Sequence, residues 1–363
     1  MRDAHGRTID YIRLSVTDRC NLRCTYCMAE DMQFLPRRDL LTFEEIETLC
    51  AHLVTRGVRR IRLTGGEPLV RKGIVDLVQR IAALSAHGLE EVTLTTNGTR
   101  LPEMANDLAE AGIRRVNISL DTLDRARFAE LTRRDEFDRV VAGIDAALAA
   151  GIAVRINTVA MKGINDREMV DLLAWSGRRG CDLALIEAMP LGEVSLDRQS
   201  THLPLDAVRR DLERAFTLVP SLHRTGGPAR YYDVAETRTR LGLITPLTEN
   251  FCAGCNRIRI AATGTVYGCL GHDQKVELRD VIRGGGEEAL DTALDTLLAG
   301  KPLRHDFDIA RREPPTKVAR RGRIGNTLGT QGIEIHVIVA QQLKVFETIA
   351  TAKMVVCDIQ HVV

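Results

Sequence analysis

Between residues 11 and 216 the chain alternates short apolar runs with longer segments whose apolar residues recur every three to four positions. The first pattern marks a buried strand and the second an amphipathic helix. Their spacing of roughly thirty residues is the period of βα units. Strands are predicted at 12–16, 60–63, 91–95, 115–120, 154–159 and 183–188, and helices at 73–86, 102–111, 137–150, 166–178 and 205–216. One further helix is opened by Thr42 and Glu45, a capping box ahead of Ile46, Leu49 and Leu53, and closed at Gly57. Six such units make an α/β protein, a pattern that a partial barrel shares with a doubly wound open sheet.

Near Pro220 the texture changes: residues 221–228 are polar and glycine-rich, and the helical period lapses. The chain therefore divides into a domain at 1–220, a smaller C-terminal domain at 221–319 and a tail at 320–363. The basic stretch 301–323, with Pro302, Pro314 and Pro315, reads as irregular and solvated. The tail turns abruptly β-branched over 333–339.

With 363 residues and 44% hydrophobic content, two domains with buried cores are expected. The formal charge of +1, with acids and bases interspersed, argues against nucleic-acid binding, which needs a concentrated basic face. No apolar run approaches 18 residues and none opens the chain, so no membrane span is expected and the cytoplasm is the expected compartment. In that reducing setting nine cysteines are ligands or buried thiols rather than disulfides, and Cys50, Cys181 and Cys357 read as buried thiols.

Cys20, Cys24 and Cys27 fall within eight residues, directly after the first strand. A structural zinc is normally closed by four protein ligands, whereas a [4Fe-4S] cube on three thiolates keeps one iron free for a small molecule. A second trio, Cys252, Cys255 and Cys269, follows in the C-terminal domain; there His272 completes a C-x2-C-x13-C-x2-H spacing that also suits zinc. In parallel α/β folds the strand C-termini build the site, and here they carry Gly65-Gly66-Glu67-Pro68, Asn97-Gly98, Ser119, Asp121, Glu187 and Met189. Taken singly, most of these have an ordinary role in turns or core.

The spacing C-x3-C-x2-C with Tyr26 before the third cysteine, and the Gly-Gly-Glu-Pro stretch, resemble the signature of the radical S-adenosylmethionine (SAM) superfamily. The run Cys255-Asn256-Arg257-Ile258-Arg259 resembles the GTP 3′,8-cyclase family of molybdenum cofactor biosynthesis, a likeness spanning about residues 7 to 319. That resemblance implies a partial (β/α)6 TIM-like barrel with a smaller C-terminal domain. Two [4Fe-4S] clusters are implied, on Cys20, Cys24 and Cys27 and on Cys252, Cys255 and Cys269. SAM would lie against Tyr26, Gly66, Ser119 and Met189, and GTP against Arg13, Arg62, Thr95, Arg155, Arg257, Ile258 and Arg259. A flavodoxin-type reductant and a downstream pterin synthase are the implied partners, and a homodimer is compatible.

Three features depart from the family pattern: Arg155 stands where a lysine is usual, Ala184 where an arginine often reaches toward the triphosphate, and the tail lacks the family's Gly-Gly ending. The altered tail is expected to impair turnover. Rival readings are another radical SAM enzyme with an auxiliary cluster, a zinc-binding module and a TIM-like enzyme with fortuitous cysteines.

Overall fold

The computed structural model describes residues 1–28, 31–189 and 198–307. The tail, Cys357 and most of the 301–323 stretch lie outside these. Six parallel strands form its frame: β1 (Tyr11–Ser15), β2 (Arg60–Thr64), β3 (Glu91–Thr96), β4 (Arg115–Ser119), β5 (Ala153–Ala160) and β6 (Asp182–Glu187). Between them run α1 (Phe43–Thr55), α2 (Ile74–Ala83), α3 (Leu101–Glu110), α4 (Arg125–Thr132), α5 (Phe137–Ala149) and α6 (Met169–Arg178). The predicted capping box is formed: Thr42 accepts from the Glu45 amide and the Glu45 carboxylate accepts from the Thr42 amide. Gly57, at φ 95, turns the chain out of α1 in the left-handed region that a side chain resists.

Beyond β6 come α7 (Arg198–Thr201), α8 (Leu205–Leu212), β7 (Leu218–Pro220), β8 (Arg230–Val234), β9 (Thr239–Ile244), β10 (Arg257–Ile260), β11 (Thr265–Tyr267), β12 (Lys275–Glu277), α9 (Arg279–Gly284) and α10 (Gly286–Ala299). These strands join the same sheet, whose order is β12-β11-β10-β1-β2-β3-β4-β5-β6-β9-β8-β7. β10 lies parallel to β1 and β9 parallel to β6, so the six predicted strands are flanked by two more running the same way. The sheet curls into a barrel that does not close. Antiparallel pairs, β11 with β12 and β7 with β8, occupy its two ends.

The strands are buried on both sides because helices cover the outside and their own polar side chains fill the inside. Ile12, Leu14, Ile61, Leu63, Val116 and Ile118 pack outward into one apolar cluster with Leu49, Leu53, Leu77 and Ile81 of the helices. Truncating such a leucine to alanine typically costs about 2–5 kcal/mol. Facing inward, a smaller apolar cluster joins Ala184, Ile186, Met189, Tyr231, Ile244 and Tyr267. α10 docks on α1 through Arg56, which pairs with Asp291 and Asp295, while His52 reaches Asp291. Among the described residues no helix is long and apolar enough to cross a membrane.

Candidate active site

The loop after β1 carries Cys20, Cys24 and Cys27 into the protein, where Cys24 and Cys27 are buried and Cys20 nearly so. Backbone bonds from Cys27 and Met28 to the Cys24 carbonyl make it a tight turn. Two neighbouring strand ends clamp it. Asn97 donates to Asn21 at 2.8 Å and approaches Cys20 Sγ at 3.9 Å, and Tyr26 OH donates to the Asp121 carboxylate beyond β4. Gly65 and Gly66 allow the closest approach of all. A Cβ on Gly66 would fall 2.4 Å from the Arg19 carbonyl oxygen, and one on Gly65 2.7 Å from that of Thr17. The glycines thus seat the cysteine loop on the end of β2.

Glu67 ties that arrangement together. Fully buried, it accepts from the Leu69 amide at 3.0 Å, the Asn97 amide at 2.6 Å and Thr96 Oγ1 at 2.7 Å. Burial nevertheless raises its carboxyl to about 7 and that of Asp121 to about 6. Burial, then the Glu67 charge and in smaller measure that of Cys27, push the Cys20 thiol up to about 12. A bound metal centre reverses such a shift, because coordinating thiols are deprotonated outright.

Inside the barrel the register sets cations side by side. Arg259 of β10 pairs with Arg13 of β1, which pairs with Arg62 of β2; one step nearer the strand starts, Arg257 pairs with Tyr11. Arg13, Arg62, Arg155, Arg257 and Arg259 are only 1%, 1%, 2%, 7% and 9% exposed. Arg155 donates to Tyr231 OH at 2.7 Å and to Asn157 at 3.2 Å, and Arg62 and Arg257 lie against the Tyr11 ring. Five buried guanidinium groups on one inner surface are unusual, since arginine is rarely fully buried. Desolvation lowers Arg62 to about 10. Thr95 faces the same interior, within 3.5 Å of the Asn117 amide group. Ser119 Oγ, Asn117 Oδ1, Asn157 Nδ2 and Arg257 Nε are buried there with no hydrogen-bond partner among the described residues, as the lining of a polar ligand site would be.

At the other end of the interior, Cys252, Cys255 and Cys269 line one cavity of about 60 Å³ with Met189, Arg257, Arg259, Phe251 and His305. Burial raises Cys255, but Arg257 and Lys301 outweigh it and the thiol is lowered on balance. His272 is absent from that lining: its Nε2 meets the Arg304 carbonyl oxygen at 2.9 Å and Asp306 at 3.5 Å. Among the described residues no three His, Cys, Asp or Glu side chains are arranged to hold a single metal ion. The thiolates of a cube bind different irons, so they enclose a volume rather than converge on a point. The first trio on one tight loop, and the second gathered from two segments around one cavity, suit that demand.

Of the residues expected at the site, Arg257, Arg259 and Met189 share the second cysteine cavity. Arg13, Arg62, Thr95, Ser119 and Arg155 come from successive strands of the barrel. Ile258 does not join them: its side chain packs outward with Ile12 and Ile260 in the apolar core. Cys50 and Cys181 are buried thiols, both pushed up to about 12 by burial. Unassigned by the sequence were Tyr231, His305 and Lys301, whose positions depend on contacts between distant segments.

Comparison with known proteins agrees with this geometry. Residues 14–176 match the radical SAM superfamily and residues 181–307 match the family described as Molybdenum Cofactor Synthesis C. The chain is 57% identical over 314 residues to a GTP 3′,8-cyclase of Erythrobacter litoralis, covering 86% of this chain and 95% of that protein. A GTP 3′,8-cyclase of Mesorhizobium japonicum is 52% identical over 322 residues, 88% of this chain and 97% of that one. This chain belongs to the GTP 3′,8-cyclase family. Among solved structures, SAM-bound Streptococcus suis SuiB superimposes with a TM-score of 0.58 over 80% of this chain and 67% of that one. At 18% identity that likeness concerns the fold alone. Within the GTP 3′,8-cyclase family, then, the unclosed α/β barrel is the frame of the site.

Proposed function

We infer that this chain is a radical SAM enzyme, a GTP 3′,8-cyclase that converts GTP to 3′,8-cyclo-7,8-dihydro-GTP in molybdenum cofactor biosynthesis. The observation that carries the reading is the surface of five buried arginines running between two three-cysteine loops. A polyanion is what such a surface is built to hold, since fixed guanidinium forks pair bidentately with phosphate oxygens.

Cys20, Cys24 and Cys27 would hold the first [4Fe-4S] cluster, and Cys252, Cys255 and Cys269 the second. Tyr26, Gly66, Ser119 and Met189 would surround SAM. A cluster and SAM bound there would supply the radical chemistry for removing the ribose C3′ hydrogen, and one electron and one proton from outside would complete the closure of C3′ on guanine C8 to the dihydro product. The protein positions and excludes. Arg13, Arg62, Arg155, Arg257 and Arg259 neutralise the triphosphate and fix its register, with Thr95 beside them. Ile258 can contribute only through its main chain. Tyr231 OH accepts from Arg155 and holds its fork in one orientation. Encasing these groups inside the barrel keeps water from the reacting carbons.

The domain division near residue 220, a cytoplasmic location, a flavodoxin-type electron donor, a downstream pterin synthase and a homodimer complete the proposal. The test is an anaerobic incubation of reconstituted protein with SAM, dithionite and GTP deuterated at C3′. The reading predicts deuterium in 5′-deoxyadenosine and a cyclised nucleotide of unchanged elemental composition. Cleavage of SAM with no deuterium transfer would overturn it.

A further inference from the structure

The chain has seven lysines against forty-three arginines, and one of the seven is 2% exposed. That residue, Lys301, follows α10 and turns its ammonium inward. Its Nζ donates to Cys255 Sγ at 3.5 Å and to the Gly268 carbonyl oxygen at 2.5 Å. Gly268 immediately precedes Cys269, so one cation links the loop carrying Cys255 to the strand end carrying Cys269. The surroundings fix it there. Gly268 packs directly on the Lys301 side chain, where a Cβ would lie 3.4 Å from the Lys301 Cβ, and Gln274 closes over Gly300, where a Cβ would meet its amide group.

From the outside the amino-terminal residues strap the same segment down. Arg7, buried and paired with Asp3 at 2.6 Å, donates to the carbonyl oxygens of Pro302 at 2.7 Å, Leu303 at 2.8 Å and Cys252 at 2.8 Å. His5 Nε2 meets the Lys301 carbonyl oxygen at 3.1 Å. A single guanidinium therefore ties Cys252 to the segment whose lysine ties Cys255 to Cys269. Lysine suits the inner position, being a compact charge with three donors.

We propose that Lys301 is a positioning residue of the second iron–sulfur centre, holding Cys255 by a charge-assisted bond and stabilising the centre's reduced state. The proposal rests on the reading of Cys252, Cys255 and Cys269 as cluster ligands. Hydrogen bonds to ligand sulfurs and nearby charge are among the factors that set such potentials. A buried cation beside the sulfur favours the more negative, reduced form, and a neutral replacement disfavours it.

The test uses the full chain, reconstituted under argon, with Cys20, Cys24 and Cys27 changed to alanine so that only the second centre is read. Iron and sulfide content reports whether the centre forms; a redox titration followed by electron paramagnetic resonance reports its potential. Lys301→Met is expected to keep the iron and lower the reduced-to-oxidised ratio at fixed potential about tenfold, about 59 mV for one electron. Lys301→Arg is expected to restore most of that shift. An unchanged potential in Lys301→Met overturns the proposal. If Lys301→Met assembles no centre, Lys301→Arg is compared with Lys301→Gln: iron in the arginine variant alone supports the proposal, and equal loss in both overturns it. A parent protein that binds no iron overturns the ligand reading, and this proposal with it.

Discussion

Replacing Arg62 by methionine is expected to make the nucleotide-free protein more stable and to weaken its hold on GTP. Burial lowers the Arg62 guanidinium well below its ordinary value, to about 10, with the Arg155 and Arg115 charges adding to the effect and Tyr11 opposing it. At about 1.36 kcal/mol per tenfold in proton affinity, keeping this group charged costs about 3 kcal/mol. Because the folded value of this base lies below the unfolded one, the cost is fully in force below about pH 10 and fades only as pH rises above it. Methionine removes it but also removes the contact with the Tyr11 ring, 5.3 Å away, worth about 2 kcal/mol when desolvated. The net gain is at most about 1 kcal/mol, in keeping with buried charges replaced by apolar side chains elsewhere. Losing a charged hydrogen bond to phosphate should meanwhile weaken GTP binding by about 1.5–3 kcal/mol, roughly 10- to 150-fold. Denaturant unfolding without nucleotide and equilibrium dialysis of GTP under argon measure the two effects. A variant destabilised by more than about 1 kcal/mol that still binds GTP within twofold of the parent would refute the reasoning.

Glu67→Gln turns one of two accepting oxygens into a donor facing an amide or hydroxyl, and should lower stability by about 1–3 kcal/mol, with loss of iron from the first trio. Asp121→Asn should flatten the pH dependence of unfolding. Burial raises the Asp121 carboxyl to about 6, so its protonated form contributes stability that is present below pH 3.8 and lost as pH rises through 6, up to about 3 kcal/mol that asparagine would not lose. His272→Ala should leave the iron at the second trio intact, because its imidazole faces Arg304 and Asp306, whereas Cys255→Ala should abolish it. Metal analysis of the two variants side by side decides that point.

β1 to β6 were legible because each strand is a short apolar run bounded by turn residues, and the structural limits differ from the predicted ones by no more than two residues. Beyond residue 220 the strands escaped the reading. β10, β11 and β12 have three or four residues and no intervening helices, so neither period can assert itself. α4 was missed because its buried face is only Phe128, Leu131 and Thr132. α10 has a clear apolar stripe, Leu290, Leu294, Leu297 and Leu298, but three glycines stand at its start. At the site, the cysteines and the Gly-Gly-Glu-Pro stretch were visible as local motifs. That Arg257 and Arg259 face inward rather than outward became clear only from the pairing of β10 with β1. Lys301 corrects the expectation that its segment is solvated from its first residue. Nothing local marks it as buried, since its burial comes from Gly268, Gly300 and a strap nearly three hundred residues away in the chain.

The central claim is that two three-thiolate sites, joined by an arginine-lined interior, each hold an iron–sulfur cube. Iron, zinc and acid-labile sulfide measured on the anaerobically reconstituted chain test it most directly. The account predicts about eight irons and eight sulfides per chain, halved when Cys252, Cys255 and Cys269 are replaced. Stoichiometric zinc with no acid-labile sulfide would contradict it.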